Sequence, residues 1–213
     1  MTSSGLNRAP LRTQIRQVLV DGLIAGRWKP GERIVERQIA AELEVSQAPV
    51  REALRELEAL GLLTSVPNKG ARVRELNLRD VYEFYTVRAA LEELAANQAV
   101  VKLGGDVSVL EGYSAALHVD AADIDPLAQI EHAVAFHRAM VSAAENRILI
   151  NMWESIGVEV WTTLSLRLFR VDLQVNADDH DEIIEAFRTC DPEVGRIVRD
   201  HVLSYGPSAD AVR

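Results

Sequence analysis

Two groups of side chains in this 213-residue chain have the types and spacing to do chemistry. The first is Arg51 and Arg55, carried in Val45-Ser46-Gln47-Ala48-Pro49-Val50-Arg51-Glu52-Ala53-Leu54-Arg55-Glu56-Leu57. Arg51 and Arg55 are four apart, so on a helix they sit side by side and face outward together. Guanidinium groups pair bidentately with phosphate or guanine. That is the chemistry of reading a duplex. The second group comes from the five histidines, His118, His132, His137, His180 and His201. His118 and His132 read as surface or internally satisfied residues. His137 lies in Ala135-Phe136-His137-Arg138-Ala139-Met140, His180 precedes Ile183-Ile184, and His201 precedes Val202-Leu203. Each begins or interrupts an apolar helical face, so each can point inward from a different helix. Three converging imidazoles make a facial site for a divalent ion such as zinc or nickel, with positions left for water or a carboxylate.

The arginines need a helix beneath them. Val50, Ala53, Leu54 and Leu57 recur at three- and four-residue steps and supply its buried face. Pro49 suits the first turn, and Ser46 is the expected N-cap. Residues 34–44 form a second short amphipathic helix, and residues 11–25 a third that ends at Gly26. Trp28-Lys29-Pro30-Gly31-Glu32 is a turn. Beyond Gly61, residues 62–66 and 71–74 are strand-like, with Pro67-Asn68-Lys69-Gly70 as the turn between them. Three helices and a hairpin make a winged helix-turn-helix over residues 8–74, and Lys69 at the tip is placed to reach phosphate or the minor groove.

Past a short linker, in which Asn77 is a candidate N-cap, every segment is helical in pattern. Helices are expected at 79–102, 106–118, 126–144, 146–174, 178–189 and 192–205. Residues 78–206 should therefore be an all-α antiparallel bundle of about 130 residues. The fold class is mainly α. Trp153, Gly157 and Trp161 share a face of the long helix, as core or as cavity lining. The pairs Asp178-Asp179 and Glu92-Glu93 read as solvated faces.

Net charge is −9 at pH 7, which taken whole argues against nucleic acid. Its distribution reverses that: residues 1–74 hold 12 Lys+Arg and 8 Asp+Glu, or +4, which leaves −13 for the remainder. A basic part that touches phosphate is joined to an acidic part that does not. No segment is apolar for about 18 residues, so no membrane span is expected. Residues 1–10 lack the apolar run of a signal peptide. The single cysteine, Cys190, fits a reducing cytoplasm.

The order Pro30-Gly31-Glu32-Arg33-Ile34, Ala40, Leu43, Val45-Ser46, Pro49-Val50-Arg51-Glu52-Ala53-Leu54, Leu57, Leu60-Gly61-Leu62, Gly70 and Val73 resembles the GntR family of bacterial transcription regulators. The resemblance implies that Arg37, Ser46, Gln47, Ala48, Arg51 and the tip at Lys69-Gly70 face DNA. Gln47 departs from the arginine usual in the family. Residues 78–205 resemble the FCD ligand-binding domain of the FadR-like subfamily, in which a bundle commonly holds a metal through an aspartate and three histidines. His137, His180 and His201 match the histidine positions. Ala133 stands where the aspartate belongs, so the resemblance implies three histidines completed by solvent or effector. Arg88 matches an arginine that faces the cavity and can hold an effector carboxylate; an ion pair with Glu92 is the competing role. The chain is then expected to be a homodimeric operator-binding regulator controlled by a small carboxylate. A metal-free acyl-CoA-type sensor and a histidine-ligated metalloenzyme are the alternatives. No partnered general base supports an enzyme.

Overall fold

The computed structural model describes residues 11–66, 70–168 and 172–212. The chain divides into two compact units, Met1–Leu76 and Asn77–Arg213. The first unit runs α1 (Leu11–Ile24), β1 (Arg33–Ile34), α2 (Glu36–Glu42), α3 (Gln47–Ala59), β2 (Leu63–Val66) and β3 (Gly70–Val73). α1 buries Ile15, Leu19 and Val20, and α3 buries Val50, Ala53, Leu54 and Leu57. The turn from α2 to α3 passes through Glu44, whose φ of +54° lies in the left-handed region that few non-glycine residues adopt.

The strands form one antiparallel sheet in the order β1-β3-β2, with Ile34 opposite Ala71 and Leu63 opposite Val73. β1 corrects the expectation of a single helix over residues 34–44. Ile34 joins the sheet and buries its side chain, Val35 is the extended N-cap, and α2 begins only at Glu36.

The second unit runs α4 (Leu78–Leu103), α5 (Ser108–Asp123), α6 (Pro126–Ala143), α7 (Arg147–Ser155), α8 (Val158–Leu168), α9 (Leu173–Arg188) and α10 (Val194–Ser204), then a 3-10 turn (Ala209–Val212). α4 packs on α6 and α10, and α5 packs on α6 and α9. Asn77 and Asp80 close a capping box at the start of α4. Asp125 caps α6 ahead of Pro126. The long helix expected at 146–174 is divided: Gly157 takes φ +71° and separates α7 from α8. α9 starts at Leu173 rather than near Asp178, because the Asp172 carboxylate accepts from the Gln174 and Val175 amides and caps it there. Trp153 and Trp161 therefore sit on different helices and are core residues. Trp161 stacks on Phe84 at 5.4 Å. Among the described residues, no helix is long and apolar enough to cross a membrane.

Candidate functional site

The first unit presents the N-terminal half of α3 to solvent. Ser46 takes the extended N-cap conformation, but its hydroxyl makes no capping hydrogen bond, contrary to expectation. It is exposed with Gln47 and Ala48, beside the orphan N–H groups of the first turn. Arg51 and Arg55 point outward as the spacing requires, with side chains 52 % and 65 % exposed. Neither projects freely. Arg51 straddles the Glu36 carboxylate of α2, Nη2 to Oε1 at 2.7 Å and Nε to Oε2 at 3.1 Å. Arg55 donates to Glu52 at 2.8 Å. Arg37 is exposed on α2.

Lys69 lies outside the described residues. Gly70 opens β3 at φ +79°, and the Arg33 guanidinium lies against it, so a Cβ there would meet Arg33 Nε at 3.1 Å. Arg72, opposite Arg33 in the sheet, donates to the Gly31 carbonyl at 2.7 Å. Arg33 and Arg72 are paired cations on β1 and β3 of the wing sheet that the sequence pattern does not single out. Their juxtaposition becomes visible only once β1 is known to pair with β3.

In the second unit the three selected histidines meet. His137 comes from α6, His180 from α9 and His201 from α10; ring centroids are separated by 5.3 Å (137–180), 5.3 Å (137–201) and 4.6 Å (180–201). One ligating nitrogen from each lies within 4.8 Å of the others. His137 and His180 are buried; His201 is half-buried by surface area yet densely surrounded. His180 Nδ1 lies 2.6 Å from the Asn176 carbonyl and donates to it, so Nε2 carries the lone pair. That Nε2 is buried with no partner, as is His201 Nδ1. Orphaned buried nitrogens cost free energy unless something binds them. Burial pushes all three imidazoles below their ordinary pKa, His180 to about 3, which keeps them in the neutral, metal-ligating form. The donor set therefore fits a divalent ion.

The rings open on a cavity of about 50 Å³, lined also by Tyr85, Arg88, Gln129, Ala133, Asn176 and Tyr205. Glu92, expected from the sequence to be solvated, is fully buried instead. Its Oε1 accepts from Arg88 Nε and from Trp153 Nε1, each at 2.7 Å. Its Oε2 lies 2.6 Å from His137 Nδ1, close but not aligned as a hydrogen bond. Burial alone would raise the Glu92 carboxyl; Arg88 and His137 outweigh it and hold it at about 2. Of the two roles weighed from the sequence, the ion pair with Glu92 is present, and Arg88 also lies on the cavity wall. Its Nη1 reaches Thr162 Oγ1 at 3.3 Å.

The remaining histidines are internally satisfied. His118 pairs with Asp181 at 2.9 Å and His132 with Asp120 at 2.6 Å. His118, Asp178 and Asp181 form a second group of potential ligands, but its members bond to one another and to Ser114 and Gln174.

Residues 11–73 match the sequence model of the bacterial regulatory proteins, gntR family, and residues 83–203 match that of the FCD domain. A probable D-xylose utilization operon transcriptional repressor of Paenarthrobacter nicotinovorans is 36 % identical over 208 residues, 97 % of this chain and 92 % of that protein. The chain belongs to the GntR family. The Nta operon transcriptional regulator of Aminobacter aminovorans is 33 % identical over 135 residues, 62 % of this chain and 63 % of that protein. Among solved structures, Escherichia coli McbR/YncC superposes with a TM-score of 0.72 at 25 % identity, over 92 % of this chain and 94 % of that one. These relatives are transcriptional regulators, not enzymes. This chain is accordingly a GntR-family transcriptional regulator with an FCD domain.

Proposed function

We propose that this GntR regulator binds a pseudo-palindromic operator as a cytoplasmic homodimer, and that a small carboxylate held at the three-histidine cavity sets its affinity for DNA. Residues 8–74 supply the DNA contacts and residues 78–206 the effector site. The observation that carries the reading is the convergence of His137, His180 and His201 on a cavity that Arg88 also lines. A divalent ion on the three imidazoles would leave positions open for an oxygen ligand. Arg88 would steer the carboxylate toward it, because a guanidinium matches the planar oxyanion. The cavity wall cannot supply the attraction unaided, since the charges of Arg88 and Glu92 offset each other.

The test is fluorescence anisotropy on a duplex selected from a random library, with zinc present. The acid panel includes hydroxy acids and the aldonic acid of D-xylose, the sugar whose utilization operon gives the Paenarthrobacter relative its name. At least one acid should shift operator affinity about tenfold, the scale of a typical coupling free energy. No response to any acid would defeat the sensing claim.

Two predictions arise here. The first concerns dimerisation. Val87, Leu94 and Val101 stand 50 %, 48 % and 78 % exposed on α4. They recur every seven residues, the spacing of a helix-on-helix seam. Replacing Leu94 and Val101 by glutamate should convert dimer to monomer at micromolar concentration in sedimentation velocity. Two-fold symmetry counts each change twice, at roughly 2 kcal/mol for a central contact. An unaltered sedimentation coefficient would place the interface elsewhere.

The second concerns Gln47, exposed at the start of the recognition helix. Gln47→Arg should move the preferred base at one half-site position from adenine to guanine, worth about 1–3 kcal/mol of discrimination. Selection from the duplex library reads this directly, and an unchanged logo would remove Gln47 from base readout.

A further inference from the structure

The geometry points to Glu92 as the positioning carboxylate of the histidine site: it fixes the His137 ring so that Nε2 is left as the ligand atom. This rests on the metal reading above and goes beyond it, because Glu92 comes from α4, a helix that contributes none of the three imidazoles. Glu92 has no exposed surface. Its Oε1 is occupied by two donors, Arg88 Nε from one turn back on α4 and Trp153 Nε1 from α7, both at 2.7 Å. These contacts hold the carboxylate and leave Oε2 2.6 Å from His137 Nδ1, off the line of a hydrogen bond. Even off axis, an anionic oxygen at 2.6 Å repels a nitrogen lone pair and attracts an N–H. Nδ1 must therefore carry the ring proton, and the lone pair must lie on Nε2. The arrangement parallels His180, where the Asn176 carbonyl claims Nδ1 and leaves Nε2 unpartnered. Two rings are thus set in the same tautomer by two different acceptors. A carboxylate behind a ligating imidazole both orients the ring and increases its basicity, and losing such a partner typically weakens metal affinity about 10- to 100-fold.

The experiment uses the full-length protein stripped of metal, then titrated with zinc against a chromophoric chelator. Glu92→Gln is compared with wild type. The double variant Arg88→Met/Glu92→Gln guards against unfolding, because it removes the arginine charge that the single change would leave buried and unpaired. Both variants should bind zinc about 10- to 100-fold more weakly. The ¹⁵N shifts of the His137 ring, recorded without metal, should move from the Nδ1–H pattern to Nε2–H or a mixture. A merely structural role would lower the melting temperature without changing that tautomer. Zinc affinity retained within about twofold in both variants, or an unchanged His137 tautomer, overturns the assignment. Failure of the wild type to bind zinc would remove the metal reading, and the tautomer comparison would then decide the role of Glu92 alone.

Discussion

Changing Arg51 and Arg55 together to alanine is expected to weaken operator binding by about three orders of magnitude at physiological ionic strength, for roughly 4 kcal/mol in total. A homodimer presents four such guanidinium groups, and each good contact to a base or phosphate is worth about 1–3 kcal/mol. Against this stands the cost of releasing them from Glu36 and Glu52. Both arginines are more than half exposed, and such pairs are worth roughly 0.2–1 kcal/mol, so DNA wins the exchange. Glu36 itself adds to the loss in the variant, because an unpaired carboxylate then faces the duplex. Adding Glu36→Gln should recover that share and no more. Measuring the Kd across a salt series separates the modes: each lost phosphate contact lowers the slope of log K against log salt by about 0.9, while a lost base contact leaves the slope unchanged. Undiminished binding by the double variant would mean that α3 is not the recognition helix.

Helix α3 is legible in the sequence because its information is local. Val50, Ala53, Leu54 and Leu57 mark the buried face within a single stretch, and the outward arginines follow from geometry. β1 is not legible. It is two residues long, too short to show alternation, and its identity depends on β3 lying opposite. The division of the 146–174 segment escapes the pattern because an isolated glycine in a helical run is often tolerated, and only the backbone shows that Gly157 is left-handed. The histidines stand out because each begins or interrupts an apolar run. Glu92 does not, because a glutamate reads as solvent-facing. Its burial is decided by Arg88 on its own helix and by Trp153 and His137 on two others. A signal does exist. Glu92 falls on the same face of α4 as the buried Val81, Tyr85, Arg88, Ala89, Ala96 and Ala99, so the Arg88–Glu92 pair is written into the core stripe rather than the surface.

The other large effect is expected from metal itself. Zinc added to the chelator-stripped protein at about a hundredfold above its Kd should stabilise the FCD unit by roughly 2.7 kcal/mol, seen as a rise of about 10 °C in melting temperature. The double variant His180→Leu/His201→Leu should lose that rise entirely. Its behaviour without metal is the more telling half of the experiment. Both residues bury a nitrogen that nothing satisfies, His180 Nε2 and His201 Nδ1. Replacing an unsatisfied polar atom by an apolar group of similar volume removes a desolvation cost, which offsets the one hydrogen bond that His180 Nδ1 gives the Asn176 carbonyl. The metal-free variant should therefore melt within a few degrees of the metal-free wild type, or above it. A structural role predicts the reverse, a variant that melts well below the wild type and shifts with zinc as the wild type does. Imidazoles that stabilise the fold only when loaded are held in the core for what they bind.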